Sequence, residues 1–225
     1  MTNLSIIIPT YNEKGNIAPL MKLLSATFKD TDYEVIFVDD NSPDGTADTI
    51  RSQKDFGKAV KLVTRSGKLG LATAVQAGVK IASATWLLIM DGDLSHPPQI
   101  ARKMFDLKDD FDLIVASRNI GKTGDRNLAA HRDFISKTAE FLCRPLIGNS
   151  TSDPMSGFFL IKKNIFEKTK IRVRGYKILL NILHDNTKIK IKDFPYTFAL
   201  RYSGKTKLGV REVINYLFDL IRLVL

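Results

Sequence analysis

Only one cysteine, Cys143, stands in 225 residues. No intrachain disulfide can form from it, and a reducing compartment is the expectation. Histidine is nearly as scarce, at His96, His131 and His184, and with a lone cysteine this argues against a Cys/His zinc site. Long apolar runs are missing too. Leu4–Ile8 stops at Pro9, and Met1-Thr2-Asn3 carries no basic charge, so neither a secretory leader nor a bilayer-spanning segment is expected. There is no internal repeat, low-complexity tract or linker, which favours one domain elaborated at its C-terminal end. Acidic residues are few in one stretch. From Lys162 to Arg211 there are 14 Lys or Arg and 3 Asp or Glu, so that segment carries all of the net charge of +10. Such a face suits an anionic partner: a phosphate-bearing substrate, an anionic membrane surface or nucleic acid. A solvated basic surface is the plain alternative.

What is present is a regular alternation. The apolar runs Leu4–Ile8, Glu34–Val38, Val60–Val63, Trp86–Met90 and Leu113–Ala116 are rich in Ile, Val and Leu, as strands covered on both faces are. Between them, Ile17–Phe28, Thr46–Gln53, Gly70–Ala84 and Pro98–Leu107 have helical spacing. Asp44 and Thr46 form a capping signature, and Pro97-Pro98 suits a helix entry. The pattern predicts an α/β fold: a Rossmann-like, mostly parallel sheet with helices on both faces. Further on, Ala129–Leu146 and Gly175–His184 read as helices and Gly157–Ile161 as a strand. Ile189–Leu200 reads as extended, with Pro195 at an edge or bulge.

Ligands of open parallel sheets bind at the carboxyl ends of the strands. Three of these strands end in suggestive residues: Pro9-Thr10-Tyr11-Asn12-Glu13, Asp39 to Thr46, and Asp91 to Pro98. Asp91-Gly92-Asp93 is the sharpest. Two carboxylates one residue apart, just past a strand, can face one hard cation, Mg²⁺ or Mn²⁺. Such an ion neutralises charge on a leaving diphosphate. Asp-x-Asp alone is a weak signal, and its place after Trp86–Met90 is what raises it. Asp40 could accept hydrogen bonds from a base or ribose, although Asn41 to Gly45 is also a plain turn. Glu13 could equally be a first-turn helix carboxylate.

Taken in order, these residues resemble family 2 of the glycosyltransferases, with the GT-A fold. Within it they resemble the polyprenyl-phosphate mannosyltransferases, the dolichol-phosphate mannose synthases. The resemblance runs from Ser5 to about Leu208. It rests on the segments at 9–13, 39–46, 68–71 (Lys-Leu-Gly-Leu), 91–98, 117–118 (Ser-Arg), 153–159 (Asp-Pro-Met-Ser-Gly-Phe-Phe), 175–180 and 204–208. The stretch at 153–159 separates this group from the polyprenyl-phosphate glucosyltransferases. The resemblance implies that Pro9, Tyr11, Glu13, Val38 and Asp40 line a nucleotide pocket. It implies that Asp91 and Asp93 bind metal and donor diphosphate, with Gly92 contributing backbone. Ser95 stands where the family often has Gln, so metal contact there would pass through water. Arg118, Arg132 and Ser136 would hold the acceptor's phosphate. Lys177, Arg201 and Lys207 would contact the donor phosphates. Asp91, Asp93, Arg118 and Arg201 form the implied catalytic set.

The implied reaction is an inverting transfer of mannose from GDP-mannose to dolichyl or polyprenyl phosphate at the cytoplasmic face of a membrane. A lipid monophosphate with a second pKa near about 6 is already a nucleophile, so no protein base is required. On this reading residues 1–209 are the catalytic domain. Val210–Leu225 forms an amphipathic helix, with Val210, Val213, Ile214, Leu217 and Ile221 on one face. That helix packs on its own domain, lies on a membrane surface or meets a membrane-anchoring partner subunit. A UDP-glucose-dependent glucosyltransferase is the near alternative. A nucleic-acid-binding module is the distant one, with no recognised motif to support it. The histidines read as structural, with His96 close to the expected metal. Arg65 and Lys68 read as loop flanks.

Overall fold

The computed structural model describes residues 2–118, 147, 150–172 and 177–197. The first strands are β1 (Leu4–Thr10), β2 (Tyr33–Asp39), β3 (Val60–Thr64), β4 (Trp86–Ile89) and β5 (Leu113–Ser117). The helices between them are α1 (Lys14–Thr27), α2 (Thr46–Arg51), α3 (Leu71–Ile81) and α4 (Pro98–Asp106), with a 3-10 turn at Lys108–Asp110. Then come β6 (Phe159–Lys162), α5 (Lys163–Lys168), α6 (Ile178–Asp185) and β7 (Ile191–Pro195). All five strands expected in the first half are present, each within two residues of its expected ends.

The sheet order is β3-β2-β1-β4-β6-β5-β7. Every neighbouring pair is parallel except those made by β6, which runs antiparallel to both β4 and β5. Side chains alternate across the sheet. Ile7, Ile36, Leu87, Ile89 and Val115 join α3 and α6 in one core layer. Ile6, Ile8, Val35, Phe37, Leu88 and Ile114 join α1 and α4 in the other. Helices therefore cover both faces, as the apolar runs required. Gly78 lets α3 lie close on the sheet: a Cβ there would stand 2.6 Å from Ile7 Cγ2 and 3.2 Å from Val38 Cγ2.

The end of the sheet at which β1 and β2 begin is pinned by Glu34. Its carboxylate accepts from Ser5 Oγ (2.6 Å), Ser83 N (2.6 Å) and Ser83 Oγ (2.8 Å), and pairs with Lys61 Nζ at 2.5 Å. Pro195 ends the edge strand β7, where a residue without an N–H is tolerated. Among the described residues no helix is long and apolar enough to cross a membrane. The expected helices at 129–146 and 210–225 lie outside the described residues.

Candidate functional site

Strand order reverses between β1 and β4. The chain leaves β1 toward β2 and β3, then returns to β4 on the other side. The crevice at such a switch point is where ligands of open sheets bind. The carboxyl ends of β1, β2, β4 and β5 all reach this edge. Because β6 is reversed, its leading segment, residues 153–158, arrives there as well.

The turns after β1 and β2 are built as one unit. Asp39, fully buried, accepts from Thr10 Oγ1 (3.2 Å), Ser42 N (2.9 Å) and Ser42 Oγ (2.5 Å). Ser42 Oγ in turn accepts from Asn12 N (2.9 Å). Asp44 takes the N–H and hydroxyl of Thr46, the first residue of α2, while the N-cap itself is Gly45, which has no side chain to cap with. Thr46 Oγ1 also accepts from Glu13 N (2.9 Å). Asn12 and Asn41 stand at φ 59° and 56°, in the left-handed region that asparagine tolerates.

Asp40 faces Arg65, which follows β3. Arg65 Nε donates to Asp40 Oδ1 at 2.6 Å, and Nη2 meets the same oxygen. The guanidinium also donates to Thr73 Oγ1 (2.7 Å) and the Gly70 carbonyl (3.1 Å). Burial raises the Asp40 carboxyl above its ordinary range, against the pull of Arg65. Arg65 is thus no mere loop flank: it ties the 65–73 loop to the end of β2. Lys68 places its ammonium 3.7 Å over the Tyr11 ring. Glu13 is half-buried and accepts from Asn16 Nδ2 (2.5 Å). Val38 is wholly buried beneath α3, with its carbonyl toward Thr10, so only its backbone reaches the edge.

The turn after β4 carries the aspartate pair. Asp93 is 6% exposed, and its Oδ1 accepts from Ser95 N (3.1 Å) and Ser95 Oγ (2.5 Å). Ser95 is itself fully buried, its hydroxyl turned onto Asp93. Leu94 between them sits at φ 66°, a strained conformation for a branched side chain. The Asp91 side chain is 40% exposed. The N–H of Asp91 donates to His96 Nδ1 at 2.9 Å. His96 is 3% exposed, and burial holds its imidazole below the ordinary value. The space for a side chain at Gly92 lies against β1, with Ile8 Cγ2 at 3.3 Å and Glu13 Cγ at 3.9 Å. The pair therefore sits directly beside the β1 turn.

Asp91 and Asp93 offer hard oxygen donors suited to Mg²⁺ or Mn²⁺. Among the described residues no set of three or more His, Cys, Asp or Glu comes together as a ligand cage. A cation held here would take its other oxygens from water and a bound diphosphate, as such ions do in nucleotide sites.

The 153–158 segment packs closely against the end of β5 and the turn after β4. Asp153, fully buried, accepts Arg118 Nε and Nη2 at 2.8 Å each, and Arg118 N at 3.2 Å. Ser156 Oγ donates to the Ala116 carbonyl at 2.7 Å. Gly157 lies beside His96 and Asp91. Phe158 stacks on His96, with centroids 4.7 Å apart and planes 7° apart. Behind this segment, Asp193 of β7 accepts from Thr151 Oγ1 (2.5 Å) and Ser152 N (2.7 Å). The sequence singled out Arg118, and the structure adds Asp153 as its holder. Lys177 precedes α6 and is half-buried. Arg132, Ser136, Arg201 and Lys207 lie outside the described residues.

The profile of glycosyl transferase family 2 matches residues 5–170 of this chain. A dolichol-phosphate mannosyltransferase of Pyrococcus furiosus is 34% identical over 224 residues, covering 98% of this chain and 63% of that protein. This chain thus spans less than two thirds of that relative's length. A protein of the same name from Saccharomyces cerevisiae is 36% identical over 228 residues, covering 96% of this chain and 85% of its own. Among solved structures, glucosyl-3-phosphoglycerate synthase from Mycobacterium tuberculosis, in complex with Mn²⁺, uridine diphosphate and glucosyl-3-phosphoglycerate, superposes with a TM-score of 0.73 at 16% identity. That match covers 99% of this chain and 78% of the other. Mannosyl-3-phosphoglycerate synthase from Rubrobacter xylanophilus gives 0.73 at 14% identity, covering 99% and 73%. At such identities these structures speak to the fold alone.

Proposed function

The chain belongs to glycosyl transferase family 2, and from that premise we propose that it transfers mannose from GDP-mannose to dolichyl or a related polyprenyl phosphate, with inversion at the anomeric carbon. The observation that carries this reading is the placement of two unlike sites on one sheet edge. A carboxylate pair stands after β4, and a clamped arginine stands after β5. Relatives 34–36% identical over nearly the whole chain bear the name of that activity.

The chain's own residues divide the work. The turns after β1 and β2, with Pro9, Tyr11, Glu13, Asp40 and the Val38 backbone, shape the nucleotide pocket. Asp91 and Asp93 hold Mg²⁺ or Mn²⁺, which when bound offsets the charge of the donor diphosphate. Arg118 presents a planar cation to the acceptor's phosphate, with Arg132 and Ser136 as further partners. Lys177, Arg201 and Lys207 neutralise the donor phosphates. Holding two anions together against their repulsion is the main task. A phosphate oxygen of the acceptor then forms a bond to the anomeric carbon. The bond from that carbon to the diphosphate breaks, and its electron pair leaves with GDP. No protein base is needed, because the phosphate monoester is already ionised near neutral pH. The lipid acceptor places the enzyme at a membrane surface, on its cytoplasmic face.

Transfer of radiolabel from GDP-mannose or UDP-glucose to a short polyprenyl phosphate, with Mn²⁺ or with chelator, tests the reading. Label entering lipid from GDP-mannose alone, and only with metal, is the expected result. Transfer from UDP-glucose instead would reassign the donor, and equal transfer under chelator would remove the metal.

A further inference from the structure

His96 is unusually confined for a residue beside a carboxylate pair. Its Nδ1 accepts the Asp91 N–H at 2.9 Å, so that nitrogen carries no proton, and the ring is the neutral tautomer with its proton on Nε2. Nε2 lies 3.8 Å from Asp91 Oδ2. The ring cannot turn away. Phe158 stacks flat against it, and Tyr196, past the end of β7, meets it edge-on at 6.2 Å. Tyr196 also packs against Phe158 at 5.5 Å, which closes the cluster. Gly157 lies alongside: a Cβ there would stand in ordinary contact, 3.8 Å from His96 Cε1 and 4.0 Å from Asp91 Oδ1.

From this geometry we infer that His96 is a positioning residue, which holds the Asp91 peptide through Nδ1, keeps its Nε2 3.8 Å from the Asp91 carboxylate, and thereby sets the affinity of the aspartate pair for a divalent cation. The inference rests on the reading that Asp91 and Asp93 hold that cation. Its physical basis is pre-organisation. Asp93 is already fixed by two donors from Ser95. Asp91 is the more exposed of the two, 40% at its side chain. A ring held between Phe158 and Tyr196 fixes the Asp91 peptide in place, and outer partners of this kind are worth about 10–100-fold in metal affinity.

The test is Mn²⁺ binding in the presence of GDP, followed by the loss of the free-ion paramagnetic resonance signal. It compares the unaltered protein, Asp93→Asn, His96→Phe and His96→Asn. Phenylalanine keeps the stack and loses the acceptor. Asparagine loses the ring and keeps an acceptor at the Nδ1 position. The expected result is Mn²⁺ binding about 10–100-fold weaker in His96→Phe, with most of the loss recovered in His96→Asn. Equal binding by His96→Phe and the unaltered protein overturns the inference. So does His96→Asn binding no better than His96→Phe. If His96→Phe does not fold, His96→Gln, which lacks an acceptor at the Nδ1 position, takes its place against His96→Asn. Binding that is absent in the unaltered protein, or unchanged in Asp93→Asn, overturns the metal reading itself and the inference with it.

Discussion

Asp153 and Arg118 meet across 35 residues of chain, with one partner fully buried and the other 38% exposed at its side chain. A carboxylate out of water is costly unless its oxygens are filled, and here three N–H donors from Arg118 reach it. The same bonds fix the plane of the guanidinium. Asp153→Asn keeps the volume but loses the charge. The variant should lose about 1–3 kcal/mol of stability in urea denaturation. Its kcat/KM for polyprenyl phosphate should fall about 10–100-fold as Arg118 loses its aim, while the KM for the sugar nucleotide stays near that of the unaltered protein. This partnership was not legible in the sequence. Arg118 stands out as a cation just past a strand end, but its holder depends on β6 inserting beside β5. Arg65 was hidden for a similar reason. Nothing local distinguishes it from the lysines nearby, and only the pairing of β2 with β3 sets it against Asp40. Asp91 and Asp93, by contrast, could be read from their place directly after an apolar run.

β1 to β5 and the helices between them followed from apolar runs and helical spacing, with the short α2 marked by Asp44 and Thr46 at its start. The six-residue helix α5 was missed: it buries only Phe166, too little to make a pattern. The reversed direction of β6 could not be read either, since an apolar run looks the same in both directions. Two predictions belong to this scale. Gly78→Ala pushes a methyl into Ile7. It should cost about 1–3 kcal/mol by chemical denaturation, as overpacking does, because α3 must lift from the sheet. Glu34 joins β2, β1, β3 and the α3–β4 turn. Burial raises its carboxyl, but the bonds from Lys61, Ser5 and Ser83 outweigh this and bring it down to about 2 from 4.5. A lowered carboxyl stabilises the fold above its unfolded value, and that contribution fades as pH falls from 4.5 toward 2. Glu34→Gln should therefore be less stable than the unaltered protein at pH 7 by about 2–3 kcal/mol. The gap in unfolding midpoint should close as the pH drops through that window.

For the molecule as a whole, the proposed function has the sheet sort the two substrates. On that proposal the nucleotide side is built on β1, β2 and β3, and the phosphate-acceptor side on β5 and the segment leading into β6. The aspartate pair lies between them at the switch point. If nucleotide and cation share that site, they stabilise the fold together. GDP with Mn²⁺ at about a hundred times its dissociation constant should add about 2.7 kcal/mol. In a thermal melt GDP with chelator should give a clearly smaller shift. Equal shifts would separate nucleotide binding from the cation. The basic run from Lys162 to Arg211 was the most visible feature of the sequence and among the least specific. Of its lysines, Lys162 pairs with Asp112 at the non-catalytic end of the sheet.

The reversed strand also has a consequence for how the protein is made. β6 sits between β4 and β5, yet it begins 42 residues after β5 ends. At a synthesis rate of about 5–20 residues per second, roughly 2–8 s pass between the two. Through that interval the growing chain carries β4 with one bare flank and β5 with no neighbour. Open strand edges recruit other chains, so the moments before residue 162 leaves the ribosome are when this protein has most need of a chaperone.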